Sequence, residues 1–269
     1  MKDSEGLKFK SYKITSKKQA TDDTAIYTIA GNLSFSPGQF VQVAIPHFGE
    51  ATFAPCSDPN NKEFFNLCIR DQGSTSAALT KLQVGENIKL RGPYGNGWPI
   101  GNLIGKNVLL LVGGMGIVPI RPLIYELLKY KKEFKKISLL AGFKTPYHVL
   151  FNDDFLAWEK KLDYLQVAVE KGDKNWWGKN CMITELIKNH KLDSKNTVVL
   201  MCGPETMFPF CNEVICNTKK IDKKNIYVSM ERRMECGVGL CQHCNIGKYY
   251  VCKDGPIFRW DKIETELNK

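Results

Sequence analysis

The chain has 269 residues, 43% hydrophobic and 25% charged, which excludes wholesale disorder and leaves room for two ordinary domains and a small appendage. Its least interrupted apolar run, Val108 to Ile120, is shorter than the roughly 20 residues of a spanning helix, so no membrane insertion is expected. The net charge of +10 comes mostly from lysine, with few arginine forks and no basic stripe interleaved with aromatics. This indicates a solvated surface with no nucleic-acid partner, and at most a weak attraction to an acidic protein.

The start, MKDSEGLKFK, lacks the apolar core of a signal peptide, so a cytoplasmic location is expected. Short runs rich in β-branched and aromatic residues follow at 8–16, 24–29, 39–45, 64–70 and 87–91, separated by turn signals. They predict an antiparallel barrel or sandwich. The segment Gly92-Pro93-Tyr94-Gly95-Asn96-Gly97 stops this pattern and marks a boundary.

From Asn107 the pattern alternates. Strands are expected at 108–112, 137–141, 164–169, 197–202 and 225–230, with helices at 119–130, 151–160, 182–189 and 205–216. Five buried-type strands alternating with helices indicate a doubly wound parallel sheet. The last 35 or so residues are too few for a core of their own and need a staple. The expected division is a β-barrel domain over 1–100, an α/β domain over 101–232 and a cluster module over 233–269.

Four regions carry chemistry. Gly113, Gly114 and Gly116, with Ile117, lie between the first parallel strand and its helix. Glycine there lets backbone approach a pyrophosphate at a helix start, or simply makes a tight packed turn. Cys202-Gly203-Pro204 ends the fourth parallel strand, where ligands of open sheets lie, and it serves equally well as a buried turn. Gly73, Thr75 and Ser76 open a short helical run and would either cap it or bind an anion.

The sharpest signal is Cys236, Cys241, Cys244 and Cys252. Their spacing, C-x4-C-x2-C followed by a distant cysteine, is the plant-type pattern for a [2Fe–2S] cluster. Gly237 and Gly239 let the loop wrap the cluster with N–H groups facing its sulfides. The alternative is a structural zinc, which more often shows two C-x2-C knuckles. His243 lies between two ligands, but four thiolates already complete the set.

The order of parts resembles the ferredoxin–NADP reductase superfamily: a barrel, a GGxGxxP turn, a strand ending in CGP, and a terminal CGxGxCxxC with CxDGP. The tail, Met230-Glu231-Arg232-Arg233-Met234-Glu235-Cys236 through Cys252-Lys253-Asp254-Gly255-Pro256, is similar to the electron-transfer subunits of cytoplasmic [NiFe] hydrogenases (the gamma subunit) and of anaerobic sulfite reductase. Pro37-Gly38-Gln39-Phe40-Val41, Gly49-Glu50-Ala51 and Arg91-Gly92-Pro93-Tyr94-Gly95-Asn96-Gly97 agree with the same relatives. The resemblance implies FAD in the barrel, NAD(P)H in the parallel domain and a [2Fe–2S] cluster at the end. By position, Phe53, Ala54, Pro55, Cys56, Ile69 and Arg70 would line the flavin, and Gly73, Thr75 and Ser76 would hold its pyrophosphate. Gly113, Gly114, Gly116 and Ile117 would meet the NAD(P) phosphates, and Cys202, Gly203 and Pro204 the nicotinamide.

Ala51 and Ala54 depart from the wider superfamily, which carries an Arg and a Ser around this loop, so a hydroxyl near flavin N5 is missing. The resemblance implies a diaphorase-type electron-transfer subunit. Electrons would pass between NAD(P)H, FAD and the cluster, and on to the iron–sulfur and catalytic subunits of a hydrogenase or sulfite reductase. No acid, base or nucleophile of the protein is required, because the cofactors carry the chemistry. Two rival readings stand beside this one. The electron-transfer subunit of dihydroorotate dehydrogenase typically has a longer gap before its fourth cysteine. A zinc-stapled interaction module would have no enzymatic role.

Overall fold

The computed structural model of the chain describes residues 7–267, so the first six residues of MKDSEGLKFK and the last two of the chain lie outside the described residues. Two compact units form. One comprises the chain up to Trp98, Arg121–Tyr125 and Glu231–Pro256; the other comprises Pro99–Ile120, Glu126–Met230 and the chain from Ile257. The tail that the sequence suggests as one module therefore contributes to both.

The first unit is built on β1 (Lys10–Thr21), β2 (Thr24–Ala30), β3 (Phe40–Ile45), β4 (Gly49–Phe53), β5 (Phe64–Arg70), helix α1 (Ser74–Thr80) and β6 (Asn87–Tyr94). The six strands form one antiparallel sheet in the order β4-β3-β6-β1-β2-β5. Twelve-residue β1 shifts register after Ile14 and after Gln19 as it pairs with β2, and bulges of this kind bend a strand and let a sheet curl. The interior is filled by Ile14, Tyr27, Ile29, Val41, Val43, Phe65, Leu67, Ile69, Leu79, Ile88 and Leu90. Apart from Leu79 of α1, these are the alternate, inward positions of their strands, as a period of two requires. Tyr27 satisfies its buried hydroxyl by donating to the Leu79 carbonyl at 3.0 Å. Burial pushes that phenol up to about 12.

Strand β4 is not anticipated by the sequence. Gly-Glu-Ala-Thr-Phe has only one β-branched residue, and the strand lies at the sheet edge, half exposed, so burial imprints little pattern on it.

The second unit holds β7 (Asn107–Gly113), α2 (Ile117–Lys129, except Arg121–Tyr125), β8 (Lys136–Phe143), α3 (Asn152–Glu159), β9 (Tyr164–Val169), β10 (Lys179–Asn180), α4 (Ile183–Asn189), β11 (Thr197–Cys202), α5 (Met207–Glu213) and β12 (Ile226–Ser229). In the tail, β13 (Asn245–Ile246), β14 (Tyr249–Tyr250) and α6 (Val251–Asp254) belong to the first unit; β15 (Ile257–Arg259) and α7 (Trp260–Leu267) return to the second.

The seven-stranded sheet runs β10-β9-β8-β7-β11-β12-β15. The five anticipated strands are parallel throughout. Central β7 and β11 are buried at nearly every position, which is why they read as unbroken apolar runs. The unanticipated β15 pairs antiparallel with β12, Ser229 opposite Ile257. Helix α2 begins at Ile117, two residues before Pro119, and Pro119 still sits in the first turn, where an N–H is not needed.

Candidate functional site: a cluster loop and two nucleotide turns

The cysteine loop lies in the first unit. Gly237 and Gly239 both take φ of +80°, the left-handed region glycine favours. This curls the backbone so that its amides aim at sulfur. The N–H groups of Val238, Leu240 and Cys241 donate to Cys236 Sγ at 3.4, 3.2 and 3.5 Å. Gly239 donates to Cys252 Sγ at 3.2 Å, and Cys252 to Cys244 Sγ at 3.4 Å.

Three pairs of the four thiols interact, and Cys241 also lies within 4.8 Å of Glu235 and His243. Cys241 interacts with Cys236, and Cys252 with Cys244 and Cys236. Burial, then the Cys244 contact, pushes the Cys252 thiol up to about 12. Four crowded sulfurs with amides aimed at them suit four thiolates around a cationic centre, and metal binding would deprotonate them. The donor set therefore fits the cluster implied by the spacing. Cys244 and Cys252 are buried, and Cys236 and Cys241 are half-buried. His243 is exposed and pairs with Glu235 at 3.0 Å, outside the four-thiol set.

The loop is tied to the barrel strands. Gln42 Nε2 donates to the Met234 carbonyl at 2.8 Å, and the Thr52 hydroxyl to the same oxygen at 3.3 Å. Arg91 reaches the carbonyls of Glu235 and Cys236. Sequence reasoning missed Gln42, Thr52 and Arg91. The available signal was a glutamine and an arginine placed within otherwise strand-like runs.

The residues assigned to FAD occupy one region of the barrel. Phe53 ends β4, and Pro55 bridges to Leu67. Cys56 N–H donates to the Asn66 carbonyl at 2.9 Å, so 55–56 runs along β5. Arg121 Nη1 donates to the Cys56 carbonyl at 2.6 Å. Ala54 is half-buried, and Ile69 points wholly into the barrel core.

Arg70 Nε is paired with Asp23 at 2.8 Å. Hydrogen bonds from Thr21 first, then from Thr24 and Arg70, hold the Asp23 carboxyl at about 2. The Thr75 hydroxyl donates to the Phe48 carbonyl at 2.6 Å. Ser76 Oγ donates to the Gly73 carbonyl and accepts from Gln72 N–H. With the hydroxyls so engaged, the first-turn amides of α1 are the donors best placed for a pyrophosphate. Gly73 is open: a Cβ there would meet nothing within 4 Å.

In the second unit, the glycine turn and the Cys202-Gly203-Pro204 turn touch backbone to backbone. A Cβ on Gly116 would lie 2.2 Å from the Cys202 carbonyl oxygen. A Cβ on Gly203 would lie 2.9 Å from Gly113 backbone atoms, and one on Gly113 would lie 2.6 Å from Met207 Sδ. Pro204 packs against the Gly113 position as well. Ile117 and Cys202 are buried. Gly114 differs: its φ is +50°, and a Cβ there would meet open space. Three of these glycines thus close two strand ends together at the carboxyl edge of the sheet, and Gly114 is the one with room beside it.

Comparison with known proteins agrees with this arrangement part by part. Residues 11–98 match the family model of an oxidoreductase FAD-binding domain, 110–213 that of an oxidoreductase NAD-binding domain, and 231–264 that of the iron–sulfur cluster binding domain of dihydroorotate dehydrogenase B. Sulfhydrogenase 1 subunit gamma of Pyrococcus furiosus is 34% identical over 242 residues, covering 87% of this chain and 82% of that one. A probable electron transfer subunit of dihydroorotate dehydrogenase B (NAD(+)) from Thermococcus kodakarensis is 29% identical, covering 94% and 98%. Among solved structures, one of an NADH-dependent reduced ferredoxin-NADP oxidoreductase superposes with a TM-score of 0.74 at 24% identity, covering 95% and 92%, and shares the fold. These matches favour an electron-transfer oxidoreductase over a non-enzymatic zinc module. With FAD-binding, NAD-binding and iron–sulfur-binding domains in that order, the chain belongs to the ferredoxin–NADP reductase-like family of electron-transfer oxidoreductase subunits.

Proposed function

We propose that the chain is the diaphorase-type subunit of a hydrogenase, exchanging electrons between NAD(P)H and partner iron–sulfur and catalytic subunits. The observation that carries this reading is the four-cysteine loop, spaced C-x4-C-x2-C-x7-C, with five backbone amides directed at its sulfurs. When bound, the nicotinamide, flavin and [2Fe–2S] cluster supply hydride transfer and the change from two-electron to one-electron carriage. The chain's own residues bind and orient. Gly73, Thr75 and Ser76 with Phe53 to Cys56, Ile69 and Arg70 hold the flavin; Gly113, Gly114, Gly116 and Ile117 with Cys202, Gly203 and Pro204 hold the nicotinamide nucleotide. Cys236, Cys241, Cys244 and Cys252 hold the cluster.

Among the described residues no helix is long and apolar enough to cross a membrane, in keeping with a cytoplasmic complex. A sulfite reductase partner rests on the tail resemblance alone. The dihydroorotate dehydrogenase reading is favoured by the tail's family match and by the Thermococcus relative. Against it stands the seven-residue gap before Cys252.

The test is Cys244→Ser in anaerobically purified protein. Wild type is expected to contain two iron and two acid-labile sulfide per chain and to reduce artificial dyes with NAD(P)H. The variant should keep flavin reduction and lose transfer to the native acceptor, read in a single turnover. Undiminished transfer would overturn the wiring, and one zinc without sulfide in wild type would overturn the cluster. Purification with the native partners separates the two complexes.

A further inference from the structure

We infer that Arg91 is the residue that positions the cluster loop and places a permanent positive charge beside it. Arg91 lies in β6, opposite Gln42 of β3, and is only 6% exposed. A charge so buried is costly unless every donor is matched. Here the guanidinium is used on all sides. Nε donates to Glu50 Oε2 at 2.8 Å, and Nη2 lies 2.7 Å from the same oxygen. Nη1 donates to the Tyr94 hydroxyl at 3.0 Å and to the Cys236 carbonyl at 2.6 Å, and Nη2 donates to the Glu235 carbonyl at 2.5 Å. Glu50 and Tyr94 fix the fork from the barrel side. The remaining donors grip the backbone at the first cluster cysteine.

The rest of the segment 91–97 continues the same grip. A Cβ on Gly237 would lie 2.8 Å from the Tyr94 ring, so ring and loop are in close contact. Asn96 N–H donates to the Gly255 carbonyl at 2.8 Å, and Asn96 Nδ2 to the Asp254 carbonyl at 3.1 Å. Gly95 admits Pro256, whose Cδ would lie 2.5 Å from a Cβ there. One short stretch of the barrel thus binds the beginning of the cluster segment through Arg91 and Tyr94, and its end through Gly95 and Asn96. Reduction adds a negative charge to a centre already surrounded by four thiolates. Glu50 offsets part of the charge from the barrel side, but the Nη1 and Nη2 donors face the loop, so the ion pair presents its positive end to the added charge and raises the reduction potential.

The inference rests on the cluster reading above, and the experiment separates the two. Full-length holoprotein and its metal-free form are compared as wild type, Arg91→Lys and Arg91→Gln. Hydrogen exchange over 234–241 in the metal-free form reports positioning, and a redox titration of the cluster signal in the holoprotein reports charge. Arg91→Gln should exchange roughly tenfold faster, as expected for losing a charged hydrogen bond, and should have a lower midpoint potential. Arg91→Lys should also exchange faster, because an ammonium cannot reproduce the fork, yet should keep a potential near wild type. If Arg91→Gln does not fold, Arg91→Lys decides by its exchange. Wild-type exchange or an unchanged potential in Arg91→Gln, wild-type exchange in Arg91→Lys, or failure of both variants to fold overturns the inference. Zinc in place of iron in wild type overturns the cluster reading instead.

Discussion

In the turn 113–116 and in the loop 236–241 glycine recurs every one or two residues, but it admits different neighbours. Around the turn, Gly116 and Gly203 bring together two strand ends whose backbones leave no space for a Cβ, and Gly113 lies against Met207 and Pro204. In the loop, Gly237 and Gly239 meet the side chains of Tyr94 and Lys253, and their positive φ turns amides toward sulfur. The first use is architectural closeness and the second is donor orientation. Substitution should therefore damage folding in one place and cluster retention in the other.

The largest expected effect is at Gly116. Gly116→Ala forces a methyl into the Cys202 carbonyl and should cost about 3 kcal/mol of stability in thermal or denaturant unfolding, whatever nucleotide is present. A stable Gly116→Ala would show that the two turns are looser than this packing implies. Its contrast is Gly114→Asp. Aspartate tolerates the left-handed region, and open space lies beside this position. That variant should fold with FAD bound and lose most reduction by NAD(P)H, because a carboxylate would oppose the phosphates. Unchanged reduction rates would move the nucleotide away from this turn.

Gly237→Ala comes next. Its φ of +80° and the nearby Tyr94 ring should cost about 1–2 kcal/mol locally, read as faster cluster loss on dilution or mild chelation with little change in global unfolding. Equal losses of global stability would erase the distinction between the two uses of glycine.

The smallest effect concerns neither turn and serves as a baseline. His190 is stacked on Tyr164 with centroids 4.4 Å apart. Burial first, then Lys219 and Lys136, depress its pKa. A depressed histidine contributes stability above its ordinary value near 6.5, and that stability is lost as pH falls through the lower folded value. Melting temperature should therefore drop as pH falls below about 6.5. His190→Phe, which keeps the stack, should flatten that part of the profile.

Much of this was legible because its determinants are local. The strands 108–112 and 198–202 are apolar on both faces, and the cysteine spacing is fixed within 17 residues. The edge strand β4 is half solvated and carries little pattern. Strand β15 is three residues long and exists only by pairing with β12. The grip of Arg91 on Cys236 joins residues 145 positions apart, a pairing that no local spacing encodes. The same limit hid the crowding of Gly116 on Cys202, so the turn at 113–116 was legible as a turn but not as a joint between two strand ends.

The pairing of Ser229 with Ile257 has a consequence for how such proteins diversify. The chain leaves the parallel sheet after β12 and rejoins it beside its point of departure, so everything between is an inserted segment with adjacent ends, held to the barrel strands through Arg91 and Asn96. Shortening or exchanging such an excursion changes loop-closure entropy only slowly with length. A chimera that carries another chain's cluster segment between Ser229 and Ile257 would keep both sheet strands in register. The choice of electron acceptor could then be inherited separately from the choice of nucleotide.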